Sequence, residues 1–139
     1  MTIRKQEQEF INDFNELNDW FLQYEYLIEL TCGMHELEAE KRTEQTRVAG
    51  CQSGVWLGLE NTGGVISVKA YSEALIIKGM LAVIVSLLSG RSAQEIMAYE
   101  MRFVDETPLR EQMSTDRFKG MSAVVDTIKA FAKQCIKKG

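Results

Sequence analysis

The sequence predicts an α+β fold in which a small three-stranded antiparallel sheet packs against helices that come before and after it in the chain. The apolar residues follow a helical period in the first third of the chain, a strand-like pattern in the middle, and a helical period again towards the end. A turn sequence, Asn61-Thr62-Gly63-Gly64, lies between two strand-like runs and is typical of a β-hairpin. At 139 residues, the chain is expected to form a single domain, residues 1–139.

The amino-terminal segment, residues 3–31, is predicted to be helical because apolar side chains recur at intervals of three and four. Asn and Asp residues are frequent within residues 12–19, which favours two helices with a joint near residues 15–18. Gly33 is a natural end for the second helix. The charged residues 36–47 that follow predict an exposed connection. The predicted apolar stripe consists of Phe10, Phe14, Leu17, Phe21, Tyr24 and Ile28.

The middle of the chain contains three short runs rich in β-branched or aromatic residues, at positions 47–49, 55–60 and 65–71. These runs predict the three strands of the sheet, with the last two joined by the hairpin turn. The order of the runs predicts that Cys51 lies in the loop between the first two strands.

Helical periodicity returns at Ser72 and indicates a well-buried helix that ends at Gly90. The residues from Ser92 to Glu95 form a capping box, which predicts a short helix after it. Pro108 interrupts the next segment, and Ser114 or Thr115 is predicted to open the last helix. The inner side of that helix is predicted to consist of Met121, Val124, Val125, Ile128, Phe131 and Ile136.

Composition excludes several classes of function. The formal net charge is -4, so no general affinity for nucleic acid or for anionic lipid is expected. The first residues are polar and charged, and the longest apolar run, near residues 80–88, is too short to span a bilayer. We therefore expect a cytoplasmic protein without a membrane or nucleic-acid partner.

The three cysteines are Cys32, Cys51 and Cys135, an odd count that argues against a disulfide framework. Cys51 lies in a polar stretch bracketed by Gly50 and Gly54, directly before an apolar run. Such a loop holds a thiol on rigid elements yet leaves it reachable, as a thiol nucleophile requires. The alternative, a cysteine that fills space in the core, fits this polar context poorly. Because no phosphate loop, dinucleotide fingerprint or zinc-protease motif is present, we expect any chemistry to depend on a thiol.

Two further interpretations of these residues remain open. Cys32 and His35 have a spacing that is weakly typical of zinc sites, and with Cys51 and Cys135 they suggest a metal-binding scaffold. That interpretation predicts bound zinc or an iron–sulfur chromophore. A thiol hydrolase that pairs Cys51 with His35 is the third possibility, although no residue is evident to orient the histidine, which is expected to be exposed.

Two positions near the start of the last predicted helix are unusual. Arg117 is a cation at a helix amino terminus, where the helix dipole mildly disfavours positive charge. Gly120, one turn later, costs about 1 kcal/mol relative to alanine, which suggests that another group packs closely against it.

Several blocks together resemble the SufE family of cysteine-desulfuration proteins, which includes the CsdE type. The strongest block is Gly50-Cys51-Gln52-Ser53 followed by Val55-Trp56. The others are Ser72-Glu73-Ala74 leading to Ile77-Lys78-Gly79, and Arg117 with Gly120-Met121. The resemblance covers nearly the whole chain and implies a fold shared with NifU/IscU-type scaffolds.

The resemblance also implies a function, that of sulfur acceptor in iron–sulfur cluster assembly. A pyridoxal-phosphate-dependent cysteine desulfurase, SufS-like or CsdA-like, would pass persulfide sulfur to Cys51 and be stimulated by the acceptor. The acceptor would then deliver the sulfur to a scaffold complex containing a SufB-like subunit. The chain would need no cofactor of its own, and it would be a sulfurtransferase-like carrier more than a free-standing enzyme. A homodimer is left open.

Two residues are carried over from the resemblance as supporting residues, Glu73 and Arg117. Both match positions near the cysteine loop where family members carry an acidic residue and an arginine. The sequence departs from the common family pattern at Thr115, Lys119, Thr46 and His35. None of these departures touches the thiol, but Thr46 and Lys119 bear on the choice of partner.

Overall fold

The computed structural model describes residues 1–138 and has the predicted α+β architecture, with a three-stranded antiparallel sheet of order β1-β2-β3. Two 3₁₀ turns, Ala39–Lys41 and Pro108–Gln112, lie in the connections. The elements in chain order are α1 Ile3–Asn15, α2 Trp20–Cys32, β1 Trp56–Thr62, β2 Val65–Tyr71, α3 Leu75–Leu88, β3 Arg91–Ser92, α4 Ala93–Met97 and α5 Thr115–Lys138.

The amino-terminal helical segment is divided as predicted, with its joint between Asn15 and Trp20. The Asp19 side chain caps α2 by accepting a hydrogen bond from the Phe21 backbone N–H at 3.0 Å, and Gly33 ends the helix. The predicted apolar stripe is wrong at Phe21, whose side chain is 63% exposed. A change of direction at the joint breaks the continuous period, so Phe21 no longer shares the face of Phe14.

The sheet contains three strands, but the first predicted strand, residues 47–49, is not one of them. Arg47 forms only an isolated antiparallel bridge with Trp56, because the chain leaves β1 two residues later to form the cysteine loop. The third strand is β3, which pairs Ser92 and Arg91 with the first two residues of β2. The hairpin between β1 and β2 is where the turn sequence predicted it, with Thr62 opposite Val65.

The core lies between one face of the sheet and the helices. Ile66, Val68 and Ala70 of β2 are buried on that face, and α3 is buried along most of its length. The predicted inner side of α5 is confirmed for its first four residues, whereas Phe131 is half-buried and Ile136 is 41% exposed. Helix α5 therefore extends beyond the core it covers. None of the helices within residues 1–138 is long and apolar enough to cross a membrane.

The connection over residues 36–47 is more tightly attached to the sheet than its charge predicts. Leu37 is only 2% exposed, and its backbone N–H donates to the Ala70 carbonyl at 3.2 Å. Gly58 of β1 leaves the space for this side chain, since a Cβ there would lie 2.5 Å from a Leu37 methyl carbon. The Glu36 carboxylate forms an ion pair with Lys78 of α3. The connection thus fixes the chain just before the cysteine loop.

Candidate functional site

The cysteine loop, residues 49–54, projects from a base that two backbone hydrogen bonds close. The Val48 N–H donates to the Val55 carbonyl at 2.8 Å, and the Leu57 N–H donates to the Thr46 carbonyl at 2.9 Å. Within the loop, Gly50 and Gly54 have φ angles of 90° and 64°, in the left-handed region that favours glycine. Cys51 therefore lies between two glycines with left-handed backbone conformations, on a loop whose base is fixed by hydrogen bonds.

The Cys51 thiol rests against α5. Its Sγ donates a hydrogen bond to the Gly120 carbonyl at 3.2 Å, across 69 residues of sequence. A Cβ on Gly120 would lie 3.4 Å from this sulfur and 3.8 Å from the Cys51 Cα. The close packing that the sequence predicted at Gly120 is thus with the cysteine itself.

A cavity of about 130 Å³ opens beside the thiol. Its lining combines the cysteine loop with Ser114, directly before α5, and with Asp116 and Arg117 in the first turn of that helix. Apolar groups complete it, among them Ile77 of α3 and Met121 of α5. The thiol therefore faces a small space that is polar on the α5 side and apolar towards the core.

The resting position of Cys51 favours the neutral thiol. Partial burial raises the pKa of Cys51, and this effect outweighs the nearby positive charge of Arg47, which lowers it. The hydrogen bond to Gly120 has the same consequence, because an S–H group can donate to a carbonyl and a thiolate cannot. In this arrangement the thiolate fraction of Cys51 is smaller than that of a free cysteine, and a loop movement or a partner that changes its surroundings would increase it.

The structure brings together only some of the residues that the sequence singled out. Arg117 lines the cavity beside Cys51, as the resemblance implied. Glu73 is exposed in the segment before α3 and is not among the cavity-lining residues within the described chain. Ile77, four residues later in the chain, does line the cavity. Lys78 points elsewhere, towards Glu36 and the Tyr71 ring.

The metal-scaffold and hydrolase interpretations find no support in this geometry. Cys32 is exposed at the end of α2, whereas His35 lines a separate groove between α2 and α3. Over residues 1–138, His, Cys, Asp and Glu side chains form no group of three or more that could hold a metal ion. Cys51 therefore has neither co-ligands nor a histidine base beside it.

Three participants at the site were not predicted from the sequence as such. Ser114, directly before α5, and Asp116, in its first turn, both line the cavity. Arg47 lies with its guanidinium 6.0 Å from the centre of the Trp56 ring, at the base of the loop. The spacing of Arg47, four residues before Cys51, was the available signal for a cation near the thiol.

Comparisons with known proteins show the family and the fold of this chain. The family model for SufE, described as an Fe-S metabolism associated domain, matches residues 8–132. A SufE-like protein of Rhizobium etli is 35% identical over 130 residues, which cover 90% of this chain and 88% of the relative. The solution structure of a hypothetical protein from Thermus thermophilus has the same fold, with a TM-score of 0.78 at 18% identity. That match covers 94% of this chain and 96% of the other.

Proposed function

Because the chain belongs to the SufE family, whose domain is associated with iron–sulfur metabolism, we propose that it is a sulfur carrier with Cys51 as the acceptor. The observation that carries the proposal is the placement of Cys51, on a glycine-bracketed loop with a small cavity beside its sulfur. The other two cysteines lack this setting, since Cys32 is exposed at a helix end and Cys135 lies near the end of α5.

The proposed reaction is a thiol–persulfide exchange. The Cys51 thiolate attacks the outer sulfur of a cysteine persulfide on a desulfurase, and a new S–S bond forms on Cys51. The S–S bond in the donor breaks, and its electron pair leaves with the donor cysteine as a thiolate. The proton lost by Cys51 goes to that leaving thiolate or to water. The exchange needs no external oxidant or reductant, because the sulfane sulfur moves without a net change in oxidation state.

The resting state of Cys51 suits such a carrier. While the loop is tucked against Gly120, the raised pKa of the thiol limits attack on unrelated electrophiles. After transfer, a cavity of about 130 Å³ has room for one more sulfur atom beside Sγ. Arg117 lines this cavity, and we assign it the stabilisation of the negatively charged outer sulfur of the persulfide.

The proposed partners follow from the family. The donor is a SufS-like or CsdA-like cysteine desulfurase, whose pyridoxal phosphate performs the desulfuration, and the recipient is a scaffold complex with a SufB-like subunit. Glu73 is exposed in the segment that leads into α3, and Ile77 of that helix lines the cavity. Glu73 is therefore assigned to partner contact and not to the chemistry at the sulfur.

The proposal is tested by desulfurase stimulation. The rate of cysteine consumption by a SufS-like desulfurase is measured alone, with the wild-type chain, and with Cys51→Ser. A chain carrying Cys32→Ser and Cys135→Ser together is the matched control. We expect stimulation by the wild-type chain and the control but not by Cys51→Ser. Stimulation that survives Cys51→Ser would rule out Cys51 as the acceptor.

A further inference from the structure

Arg47 is a cation that the fold holds at the base of the cysteine loop. Its backbone N–H donates to the Thr43 carbonyl at 3.1 Å, and the residue pairs with Trp56 in the isolated bridge. The next residue, Val48, makes one of the two hydrogen bonds that close the loop. The position of Arg47 is consequently fixed by the same bonds that define where the loop begins.

The side chain of Arg47 is placed by Trp56. Its guanidinium lies 6.0 Å from the centre of the Trp56 ring, within the range of a cation–π interaction. The far edge of the same indole lies against Gly54, at the end of the cysteine loop, since a Cβ on Gly54 would lie 3.0 Å from Trp56 Cη2. The cation thus rests on a ring that also contacts the loop, and this placement does not depend on Cys51 remaining against Gly120.

Few other charges compete with Arg47 at the sulfur. Helix α5 contributes Asp116 and Arg117 to the cavity, two adjacent residues of opposite charge, whereas the charge that lowers the pKa of Cys51 is that of Arg47. Two further residues that line the cavity are uncharged: Val55, directly before β1, and Ile77 of α3. Among the ion pairs formed within residues 1–138, none involves Arg47, so its charge is not neutralised by a carboxylate there.

We propose that Arg47 is a positioning residue for sulfur transfer, one whose guanidinium stabilises the Cys51 thiolate when the loop leaves Gly120 and presents the sulfur to a persulfide donor. This role rests on the proposed function of Cys51 as a sulfur acceptor. The base hydrogen bonds hold the Arg47 backbone independently of the loop between Gly50 and Gly54, so a movement of the loop would leave the cation at the base of the loop. The positive charge offsets part of the penalty that burial places on the thiolate in the resting state.

The test is the pH dependence of Cys51 alkylation by iodoacetamide, followed by peptide mass spectrometry on the full chain. We compare the wild type with Arg47→Gln and Arg47→Lys. Arg42→Gln is the matched control, because it removes the same charge from a guanidinium stacked 3.4 Å above the Tyr71 ring. Alkylation requires only the thiolate, so the measurement needs no desulfurase and is independent of whether Cys51 accepts sulfur.

For Arg47→Gln we expect an alkylation profile shifted to higher pH, with a rate at neutral pH about three- to tenfold lower than in the wild type. The limiting rate at high pH should be unchanged, whereas a merely structural role would raise the rate at every pH by freeing the loop. Arg47→Lys should retain most of the wild-type profile. A profile for Arg47→Gln that superimposes on the wild type, or an equal shift in Arg42→Gln, would overturn the proposal.

Discussion

Alanine substitution at two helical glycines, Gly79 and Gly120, is expected to change the free energy of unfolding in opposite directions. Both glycines are buried within helices, Gly79 in α3 and Gly120 in α5. At Gly79 a new Cβ would lie 2.9 Å from the Leu27 Cβ and 3.2 Å from the Leu27 backbone oxygen. At Gly120 the nearest atom would be the Cys51 sulfur at 3.4 Å, an ordinary van der Waals contact.

The magnitudes follow from two opposing effects. Replacing a helical glycine by alanine stabilises the helix by about 1 kcal/mol at either site. At Gly79 this gain is opposed by overpacking against the fully buried Leu27, which typically costs about 1–3 kcal/mol. Because the atoms close to the new Cβ include the Leu27 backbone, the overlap can be relieved only if α2 moves away from α3. We therefore expect Gly79→Ala to lose about 1 kcal/mol and Gly120→Ala to gain up to about 1 kcal/mol.

Urea denaturation and thermal unfolding of the two variants provide the measurement. A difference of about 2 kcal/mol between them corresponds to roughly 8 °C in midpoint temperature for a chain of this length. If Gly79→Ala were the more stable variant, the close contact between α2 and α3 would be refuted. Destabilisation of Gly120→Ala by as much as Gly79→Ala would contradict the ordinary van der Waals spacing between α5 and Cys51.

Two further predictions concern carboxylates. Glu7 is 1% exposed, and its Oε2 accepts hydrogen bonds from the Tyr99 hydroxyl at 2.8 Å and from the Arg102 and Phe103 backbone N–H groups at 2.9 and 3.0 Å. Glu7→Gln should therefore lower the free energy of unfolding by about 1–3 kcal/mol, because charge-assisted hydrogen bonds become neutral ones. The control, Glu9→Gln on the exposed face of α1, should change the free energy of unfolding little. Equal stability of the two variants in urea would contradict this prediction. The hydrogen bond from Lys69 lowers the pKa of Glu38 from 4.5 to about 2. Since the folded pKa is the lower one, the stabilisation by this pair is present above pH 4.5 and is lost as the pH falls towards about 2. Denaturation curves across that window should show a smaller loss for Glu38→Gln than for the wild type, and identical losses would show that the pair does not contribute.

The parts of the fold that could be predicted from sequence are those determined by local chemistry. The capping box at Ser92 and Glu95, the hairpin turn and the joint between α1 and α2 each depend on residues within a few positions of one another. The pairing of β3 with β2 was missed because a strand of two residues is too short to show a pattern. The burial of Leu37 was missed for a different reason, since it depends on the absence of a side chain at Gly58, far along the chain.

At the candidate site, too, the features that depend on local sequence could be predicted, whereas the contacts between distant parts of the chain could not. Cys51 stood out because glycines and polar residues surround it, and Gly120 stood out because glycine is unfavourable inside a helix. That these two residues contact each other could not be derived from sequence, as 69 residues separate them. Glu73 was carried over by family resemblance, and the structure places it outside the cavity that contains Arg117. Its proposed role in partner contact, like the cytoplasmic location, stays a prediction.

The central claim, that Cys51 carries the sulfur, is tested most directly by locating the sulfur itself. After incubation of the wild-type chain with a SufS-like desulfurase and cysteine, peptide mass spectrometry should show one added sulfur atom on the peptide containing Cys51. A thiol reductant should remove it, and the peptides containing Cys32 and Cys135 should remain unmodified. Added sulfur on either of those peptides with none on Cys51, or no added sulfur at all, would contradict the account.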